Sequence, residues 1–438
     1  MHSLRTLLSG TSLALLFSAL LTLLPNQAAG RDYLDLSADV HRIPTAVPYF
    51  VNKKTGIAGD EGRWMADILG RALEFHGFIT IISPDRYGGG QESDWKALGA
   101  ELVVAGSYEV IGSQLALEMR ITDILDGQMI FGRRYTGDWN KRKHILFKFC
   151  DEAVDKLTGE AGVASTLIAF VSDGSGQKEV YVTDILGDNV RQITKHRTLA
   201  VCPRFSPDGK RLMYTSYHRG SQMLYITTLG TETTRAISWY EGLNMAPAWA
   251  PDGNRLAVTL SKDGNPDLYL TGAIPERKEK LNIIERLTSQ AGINVSPSWS
   301  PDGTKLAFVS DRTGTPQIYV MDLAAKATRR ITFEGNYNTS PSWSPKGDLI
   351  AYSSLFSGNH QIFTISPEGG VPTQVTKTWG SNESPAWAPD GRQIVFSRKR
   401  DNQQQLCAIF KNGVGLRVVS SKLPGSQSMP QWSTRLDF

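Results

Sequence analysis

The chain has 438 residues, of which 40% are hydrophobic and 21% are charged, enough for two domains with hydrophobic cores. Its formal net charge of +4 at pH 7 is too small to indicate a nucleic-acid or membrane-surface partner. The three cysteines, Cys150, Cys202 and Cys407, are too few for a disulfide framework. We interpret them as buried free thiols, with a single structural disulfide as the alternative.

Residues 1–30 are typical of a secretory signal. His2 and Arg5 give a polar start, and Leu13–Leu24 is an apolar run that is too short for a typical transmembrane helix. Small residues then precede Arg31, so we expect cleavage between Gly30 and Arg31, with an uncleaved membrane anchor as the alternative. These features predict a soluble exported protein.

Residues 31–162 predict an α/β domain, because runs with helical and strand periodicity alternate along them. The predicted helices are Asp60–Glu74, Asp94–Leu98 and Asn140–Leu157, and the predicted strands are Ala46–Val51, Phe78–Ile82, Leu102–Ala105, Leu115–Ile124 and Met129–Tyr135. Gly159–Gly162 follows as a short linker. Ahead of the domain, Asp32–Ile43 has modest strand propensity and is either a flexible terminus or a segment that pairs with a partner.

The second half of the chain repeats the phrase Pro-x-aromatic-Ser/Ala-Pro-Asp-Gly. One copy has Lys346 in place of the aspartate. The copies are 44 to 50 residues apart and end at Gly209, Gly253, Gly303, Gly347 and Gly391. A period of this length with strand-like content is typical of β-propeller blades.

Each Pro-Asp-Gly predicts a tight hairpin turn, because proline presets φ, aspartate bonds its own backbone and glycine accepts positive φ. Apolar runs follow each turn, for example Leu306–Val309, then Gln317–Val320 and a short Arg330–Thr332. With the phrase itself, each repeat supplies the four strands of one blade.

The two ends of the array predict how the propeller closes. Leu167–Val171, Glu179–Val182 and Arg191–Thr194 match the last three strands of a blade, and Pro430–Ser433 matches a first strand with nothing after it. Joined, they complete a sixth blade and remove the open sheet edges. The predicted fold is an α/β N-terminal domain followed by an all-β six-bladed propeller over residues 163–438, closed by strands from both ends of that domain.

No motif indicates catalysis. The chain has no Gly-x-Ser-x-Gly, and its seven histidines never occur at His-x-x-x-His or His-Glu-x-x-His spacing. We expect no catalytic residue, cofactor or metal, and we interpret the Pro-Asp-Gly aspartates as turn residues. The alternative is a periplasmic propeller enzyme acting on peptide or carbohydrate, which would need acidic side chains lining its channel.

An amide side chain lies three residues before the first proline of most copies of the phrase. These amides are Asn244, Asn294, Asn338 and Asn382, with Gln427 in the closing copy. A six-fold arrangement would bring them around one mouth of the central channel, where amides can receive a peptide or loop by hydrogen bonds. The alternative is that each asparagine satisfies the local backbone of a turn.

The order of these parts resembles the TolB family, the periplasmic component of the Tol–Pal system of Gram-negative bacteria. Asp94–Gly106 is similar to that family's Trp-x-Ala-Leu-Gly-x-x-x-Val-Val-x-Gly phrase, and Ile43–Phe50 is similar to its Pro-Ile-Gly-Val-Val-Pro-Phe. The resemblance covers essentially the whole chain, from the signal segment to Pro430–Ser433.

The resemblance implies a non-enzymatic periplasmic adaptor that helps to maintain the outer membrane and its constriction during cell division. It implies that the channel mouth binds the lipoprotein Pal and that the segment after the signal binds TolA, with other outer-membrane lipoproteins as further partners. The family's Pal contacts correspond to Leu243, Asn244, Ala246, Asn294 and Val295, to which the amide ring adds Asn338 and Asn382. The TolA contacts correspond to Asp32, Tyr33, Leu34, Asp35 and Leu36. The family often has histidine at the position of Leu243, so this contact differs in detail.

Overall fold

A computed structural model describes residues 42–276, 279–289, 292–419 and 421–436 of the chain. The predicted signal segment, its cleavage site between Gly30 and Arg31, and the predicted TolA contacts at residues 32–36 lie outside the described residues. None of the described helices combines the length and the apolar composition that crossing a membrane requires.

The first part of the described chain is a six-stranded sheet. Its strands are β1 (Ile43–Ala46), β2 (Val51–Asn52), β3 (Ile79–Ile81), β4 (Leu102–Ile111), β5 (Gln114–Asp123) and β6 (Met129–Asp138). The order is β3-β1-β4-β5-β6, with β2 paired to β4. Strand β1 runs parallel to both neighbours, whereas β4, β5 and β6 are antiparallel. Every second residue of β5 from Leu115 to Asp123 is buried, so one face of the sheet belongs to the core.

Two helices pack against each other and against this sheet. They are α1 (Gly59–Phe75) and α2 (Arg142–Thr158), and single 3₁₀ turns lie at Pro84–Arg86 and Trp139–Lys141. Leu69 and Leu73 of α1 and Phe149 of α2 are fully buried, as the helical spacing of apolar residues predicts. Helix α2 ends at Gly159, whose φ of 74° is a left-handed value that glycine adopts without strain.

Six four-stranded sheets form the rest of the described chain. Their strands are β7 (Leu167–Ser172), β8 (Glu179–Asp184), β9 (Arg191–Gln192), β10 (Ala200–Phe205), β11 (Arg211–Ser216), β12 (Met223–Thr228), β13 (Thr233–Ser238), β14 (Asn244–Trp249), β15 (Leu256–Leu260), β16 (Asp267–Thr271), β17 (Ile283–Arg286), β18 (Asn294–Trp299), β19 (Lys305–Ser310), β20 (Gln317–Asp322), β21 (Thr328–Arg330), β22 (Asn338–Trp343), β23 (Ile350–Phe356), β24 (Asn359–Ile365), β25 (Thr373–Gln374), β26 (Ser381–Trp387), β27 (Gln393–Arg400), β28 (Gln403–Phe410), β29 (Arg417–Val418) and β30 (Gln427–Trp432). Blades one to five take four consecutive strands each, starting at β10, and the first strand of each blade is the innermost.

The sixth blade has the strand order β30-β7-β8-β9, so it takes strands from both ends of the propeller. Trp432 of β30 pairs with Ile168 of β7 and is 3% exposed. Its indole N–H donates to the Thr166 hydroxyl at 2.7 Å. The predicted fold class, including the closure from both ends, is confirmed.

Each innermost strand contains a β-bulge just before the proline of the repeat phrase. In β18, for example, the pairing with β19 shifts between Val295 and Ser298. The residue before each proline has a left-handed φ between 46° and 57°, although none of the six is glycine. These residues are Cys202, Ala246, Ser296, Ser340, Ser384 and Met429, and all of them line the central channel. The bulge bends the strand and turns its residues towards the axis.

Two predicted elements are wrong in detail. Residues 47–50 of the predicted strand Ala46–Val51 pair with no strand, and Pro48, which has no N–H to donate, lies among them. The predicted helix Asp94–Leu98 is a set of turns, in which the Asp94 carboxylate accepts from the Ala97 N–H at 3.0 Å. All three cysteines are unpaired, but Cys202 is only half-buried, because it faces the channel.

Candidate partner-binding face

The direction of the innermost strands gives the propeller two faces. The strands begin on one face, at Asn244, Asn294, Asn338 and next to Asn382, and we call it the asparagine face. The turns between the second and third strands lie on the same face, because Asn244 pairs with Leu260, the last residue of β15. The innermost strands end on the opposite face at the Pro-Asp-Gly turns, and we call it the turn face.

Asn294 shows what the asparagines do. Its side chain is fully buried, and its amide nitrogen donates to the Asp267 carboxylate at 2.9 Å and to the Gly292 carbonyl at 3.2 Å. Its amide oxygen accepts from the Arg312 guanidinium at 2.8 Å. The side chain therefore ties the start of one blade's innermost strand to the start of the preceding blade's third strand.

The other asparagines make equivalent contacts. The amide nitrogen of Asn338 donates to Gln317 at 2.8 Å, that of Asn382 donates to Gln361 at 3.0 Å, and that of Asn244 donates to the Tyr240 carbonyl at 2.7 Å. All are fully buried. The expectation that these amides stand open around the channel mouth is wrong, because all four are fully buried and their nitrogens donate to neighbouring strand ends and loops. The amide oxygens of Asn338 and Asn382 have no partner among the described residues. The alternative, local backbone satisfaction, describes their geometry better.

The remaining predicted contacts lie close to this face. Leu243 is half-buried, and its N–H donates to the Ser261 hydroxyl at 2.8 Å. Val295 is half-buried against the core between two blades. Ala246 is buried at the bulge of β14 and lines the channel. The structure thus places all seven predicted Pal contacts in the first residues of the innermost strands or next to them.

The asparagine face also carries large apolar side chains that are exposed, which sequence reasoning missed. Phe333 is 72% exposed and Trp379 is 66% exposed. We call the whole set the apolar rim: Leu199, Tyr217, Ile293, Phe333, Tyr337, Leu355, Phe356 and Trp379. The Tyr337 carbonyl accepts from the Leu355 N–H at 2.9 Å, so neighbouring members are in contact. Clustered exposed apolar groups of this kind mark interaction surfaces.

Basic side chains lie over the aromatic members of the rim. The Arg330 guanidinium is 4.9 Å from the Phe333 ring centroid, and the Arg400 guanidinium is 5.6 Å from that of Trp379. Aromatic and arginine side chains are the residues most enriched among interface hot spots. The rim is therefore suited to a protein partner that offers apolar groups together with carboxylates.

A stacked histidine pair lies on the same face, at the first blade. The rings of His196 and His218 are 4.3 Å apart, and His196 Nδ1 lies 2.8 Å from the Ser216 hydroxyl. Burial, with a further contribution from His218, lowers the pKa of His196 from 6.5 to about 4. His196 is therefore neutral at neutral pH and adds no charge to the face.

The central channel is a cavity of about 680 Å³. The rings of Trp249, Trp299, Trp343, Trp387 and Trp432 line it, together with prolines and serines of the repeat phrase. Among the described lining residues, the one charged side chain is that of Arg204. The part of the chain that the structure describes holds no cluster of three metal-ligating side chains.

The turn face is covered in part by the N-terminal sheet and helices. Lys143 of α2 binds Asp184 at 2.7 Å and Asp188 at 3.2 Å. Beyond α2, Glu160 pairs with Arg392 at 2.9 Å and with Lys346, which lies in a turn of the repeat phrase. The turn face is thus partly covered by the chain's own first domain, whereas no described ion pair or ring contact joins that domain to the asparagine face.

Residues 154–436 match the family described as "TolB beta propeller domain", which is well over half of the chain. The chain belongs to the TolB family. A Tol-Pal system protein TolB of Desulfotalea psychrophila is 45% identical over 222 residues, which are 49% of this chain and 50% of the relative. A Tol-Pal system protein TolB of Geobacter sulfurreducens is 36% identical over 193 residues, covering 40% and 45% of the two chains. The chain spans about half the length of the TolB relatives that it matches.

A solved structure gives the same fold over more of the chain. The crystal structure of TolB from Acinetobacter baumannii superposes with a TM-score of 0.76 and covers 90% of this chain and 97% of its own. The two sequences are 24% identical, so the likeness establishes the shared architecture.

Proposed function

We propose that the chain is a non-enzymatic adaptor of the Tol–Pal system in the Gram-negative periplasm. In this proposal it is exported by residues 1–30, uses an α/β domain over residues 31–162, and uses the propeller over residues 163–438 to hold a partner. It would help to maintain outer-membrane integrity and constriction during division. Membership of the TolB family and the printed name of its relatives support this assignment.

The apolar rim is the observation that carries the proposal. It places eight exposed large apolar side chains on the propeller face to which no described ion pair or ring contact joins the first domain. We propose that this face binds Pal, through the rim and the adjoining loops at Leu243 and Val295. The buried asparagines would act indirectly, because they hold those loops in place.

The second partner in this proposal is TolA, bound by the segment Asp32–Leu36. The resemblance to the family is its support. Other outer-membrane lipoproteins would compete for the apolar rim, since any partner needs apolar groups and carboxylates there.

The alternative function, a propeller enzyme, required carboxylates converging in the channel. The described lining has an arginine as its charged residue instead. No observation in the channel therefore favours that alternative over the adaptor.

Calorimetric titration with the soluble domain of Pal tests the proposal. Phe333→Ser and Trp379→Ser each remove an exposed ring, and we expect each to weaken binding about thirtyfold or more, the effect of a typical hot spot of about 2 kcal/mol. Val371→Ser is the matched control, because Val371 is 87% exposed in the turn between β24 and β25 on the turn face. Deleting residues 31–41 should abolish TolA binding and leave Pal binding unchanged. Wild-type affinity for Pal in both rim variants would place the partner elsewhere.

A further inference from the structure

Arg204 departs from the pattern of the repeat phrase. It occupies the variable position between the proline and the aromatic residue in the first blade. The equivalent residues of the other blades are small or neutral: Ala248, Ser298, Ser342, Ala386 and Gln431. The first blade is thus unusual in placing a cation at this point of the innermost strand.

Arg204 has no described carboxylate partner, although it lines the channel. Its side chain makes one hydrogen bond to a described residue, from Nη1 to the Pro203 carbonyl at 2.8 Å. Burial lowers the pKa of its guanidinium, which shows that the protein surroundings stabilise the charge less well than water does. A guanidinium has five N–H donors, so the described residues use only a small part of its hydrogen-bonding capacity. An enclosed and unpaired charge is unfavourable for folding alone.

A second unused donor lies in the next blade. In two blades the indole N–H of the repeat tryptophan donates to the carbonyl of the preceding blade's variable residue: Trp299 to Ala248 at 3.2 Å, and Trp387 to Ser342 at 3.0 Å. The corresponding bond from Trp249 to Arg204 is absent, and the buried Trp249 N–H has no partner among the described residues. Trp249 lines the same channel as Arg204.

The channel wall around these groups combines proline and tryptophan rings with serine hydroxyls. The Ser298 hydroxyl accepts from the backbone N–H of Trp343 at 3.0 Å, which leaves its own proton free to be donated. The cavity of about 680 Å³ lies in the range of small-molecule pockets of about 300–1,000 Å³, which are mostly apolar with a few polar groups. The described wall offers donors and a cation, but no carboxylate.

We propose that the channel binds a small organic anion, with its carboxylate or phosphate on Arg204 and its apolar body against the tryptophan rings. The guanidinium would donate two parallel N–H hydrogen bonds from its planar fork to two oxygens of the anion. The Trp249 N–H would supply a further donor. This site lies within the channel, and it does not depend on the partner proposed for the asparagine face.

Calorimetric titration of the full mature protein with benzoate and with phenyl phosphate tests the site, and benzyl alcohol serves as the neutral probe of the same body. We expect saturable binding of at least one anion and none of the alcohol. Arg204→Ser should weaken binding about ten- to a hundredfold, the range for hydrogen bonds to charged groups. This variant should fold, because Ser298 and Ser342 occupy the same position in two other blades.

Three further variants separate the site from general charge effects. Arg204→Lys should retain part of the binding, and Trp249→Phe should weaken it about two- to tenfold, as for one neutral hydrogen bond. Arg219→Ser removes an exposed arginine of the same blade outside the channel and should bind like the wild type.

The relative affinity of the two probes distinguishes a carboxylate site from a phosphate site. Absence of saturable anion binding, or equal binding by the wild type and Arg204→Ser, would overturn the proposal and leave Arg204 as a residue that fills space beside Phe205.

Discussion

The two faces of the propeller differ in how many of their loop residues are determined by the repeat phrase. On the turn face the phrase itself sets the structure: aspartate and glycine close four of the hairpins, lysine and glycine close a fifth, and ion pairs such as Glu160 with Arg392 attach the first domain. On the asparagine face the repeat fixes one buried amide per loop in five of the six blades, with Ala200 at that position in the first blade, and the residues around it vary. Phe333, Tyr337 and Trp379 are free to be exposed there because the amides already hold the loops. Binding surfaces develop where a rigid frame carries variable loops.

The largest loss of stability should come from removing β30, the innermost strand of the closing blade. Deleting Met429–Phe438 removes most of β30, exposes the edge of β7 and removes Trp432, which also contacts Phe75 of α1 at a ring distance of 6.2 Å. Loss of one buried tryptophan alone costs about 3–5 kcal/mol, against a total of about 5–15 kcal/mol for a domain. We expect the truncated protein to lose cooperative unfolding or to unfold at a much lower urea concentration. Circular dichroism during urea titration measures both.

Trp432→Phe is the control for this deletion, because it keeps the strand and a ring but removes the N–H that donates to Thr166. It should lose a fraction of the stability that the deletion loses. A truncated protein that melts cooperatively at the wild-type temperature would show that β30 does not close the propeller.

A smaller loss of stability should distinguish a buried residue of the asparagine face from an exposed one. Asn294→Ala leaves Asp267 and Arg312 each without one buried hydrogen bond, which should lower the free energy of unfolding by about 1–3 kcal/mol. Phe333→Ser on the same face should change it by about 0.5 kcal/mol or less, because its ring is exposed. Urea unfolding of both variants measures the difference. Equal stability of the two variants would contradict the assignment of the asparagines to the frame.

Much of the frame could be predicted from the sequence, because the repeat period and the Pro-Asp-Gly turns are local signals. The closing blade could be predicted as well, since Pro430–Ser433 lacks following strands and Leu167–Val171 lacks a preceding one. The burial of the asparagines could not be predicted: Asn294 meets Asp267, 27 residues earlier in the chain, only after two blades have packed.

The apolar rim could not be derived from periodicity either. Phe333 and Trp379 lie in short loops, where no hydrophobic pattern tells an exposed ring from a buried one. An available signal was the spacing of aromatic residues around glycine in Phe333–Tyr337, since a loop with two rings and no strand pattern has limited means to bury both. Arg204 could have been noticed by aligning the copies of the phrase, but its lack of a partner is visible only in the structure.

The smallest effect tests the attachment at the turn face. Burial tends to raise the pKa of Glu160, but its hydrogen bond with Lys346 and the charge of Arg392 outweigh this, and the net pKa lies below the ordinary value of 4.5. A carboxylate with a lowered pKa stabilises the folded state above its unfolded pKa, and this contribution is lost as the pH falls through the folded value.

The Glu160 side chain is 37% exposed, so solvent screening limits the effect to about 1 kcal/mol or less. Glu160→Gln should therefore be slightly less stable than the wild type at about pH 7, and the gap should narrow as the pH falls to about 3. Urea midpoints at both pH values measure the gap, with the exposed Glu241→Gln as the control. A gap that stays constant between the two pH values would show that the ion pairs of Glu160 do not help to hold the first domain on the turn face.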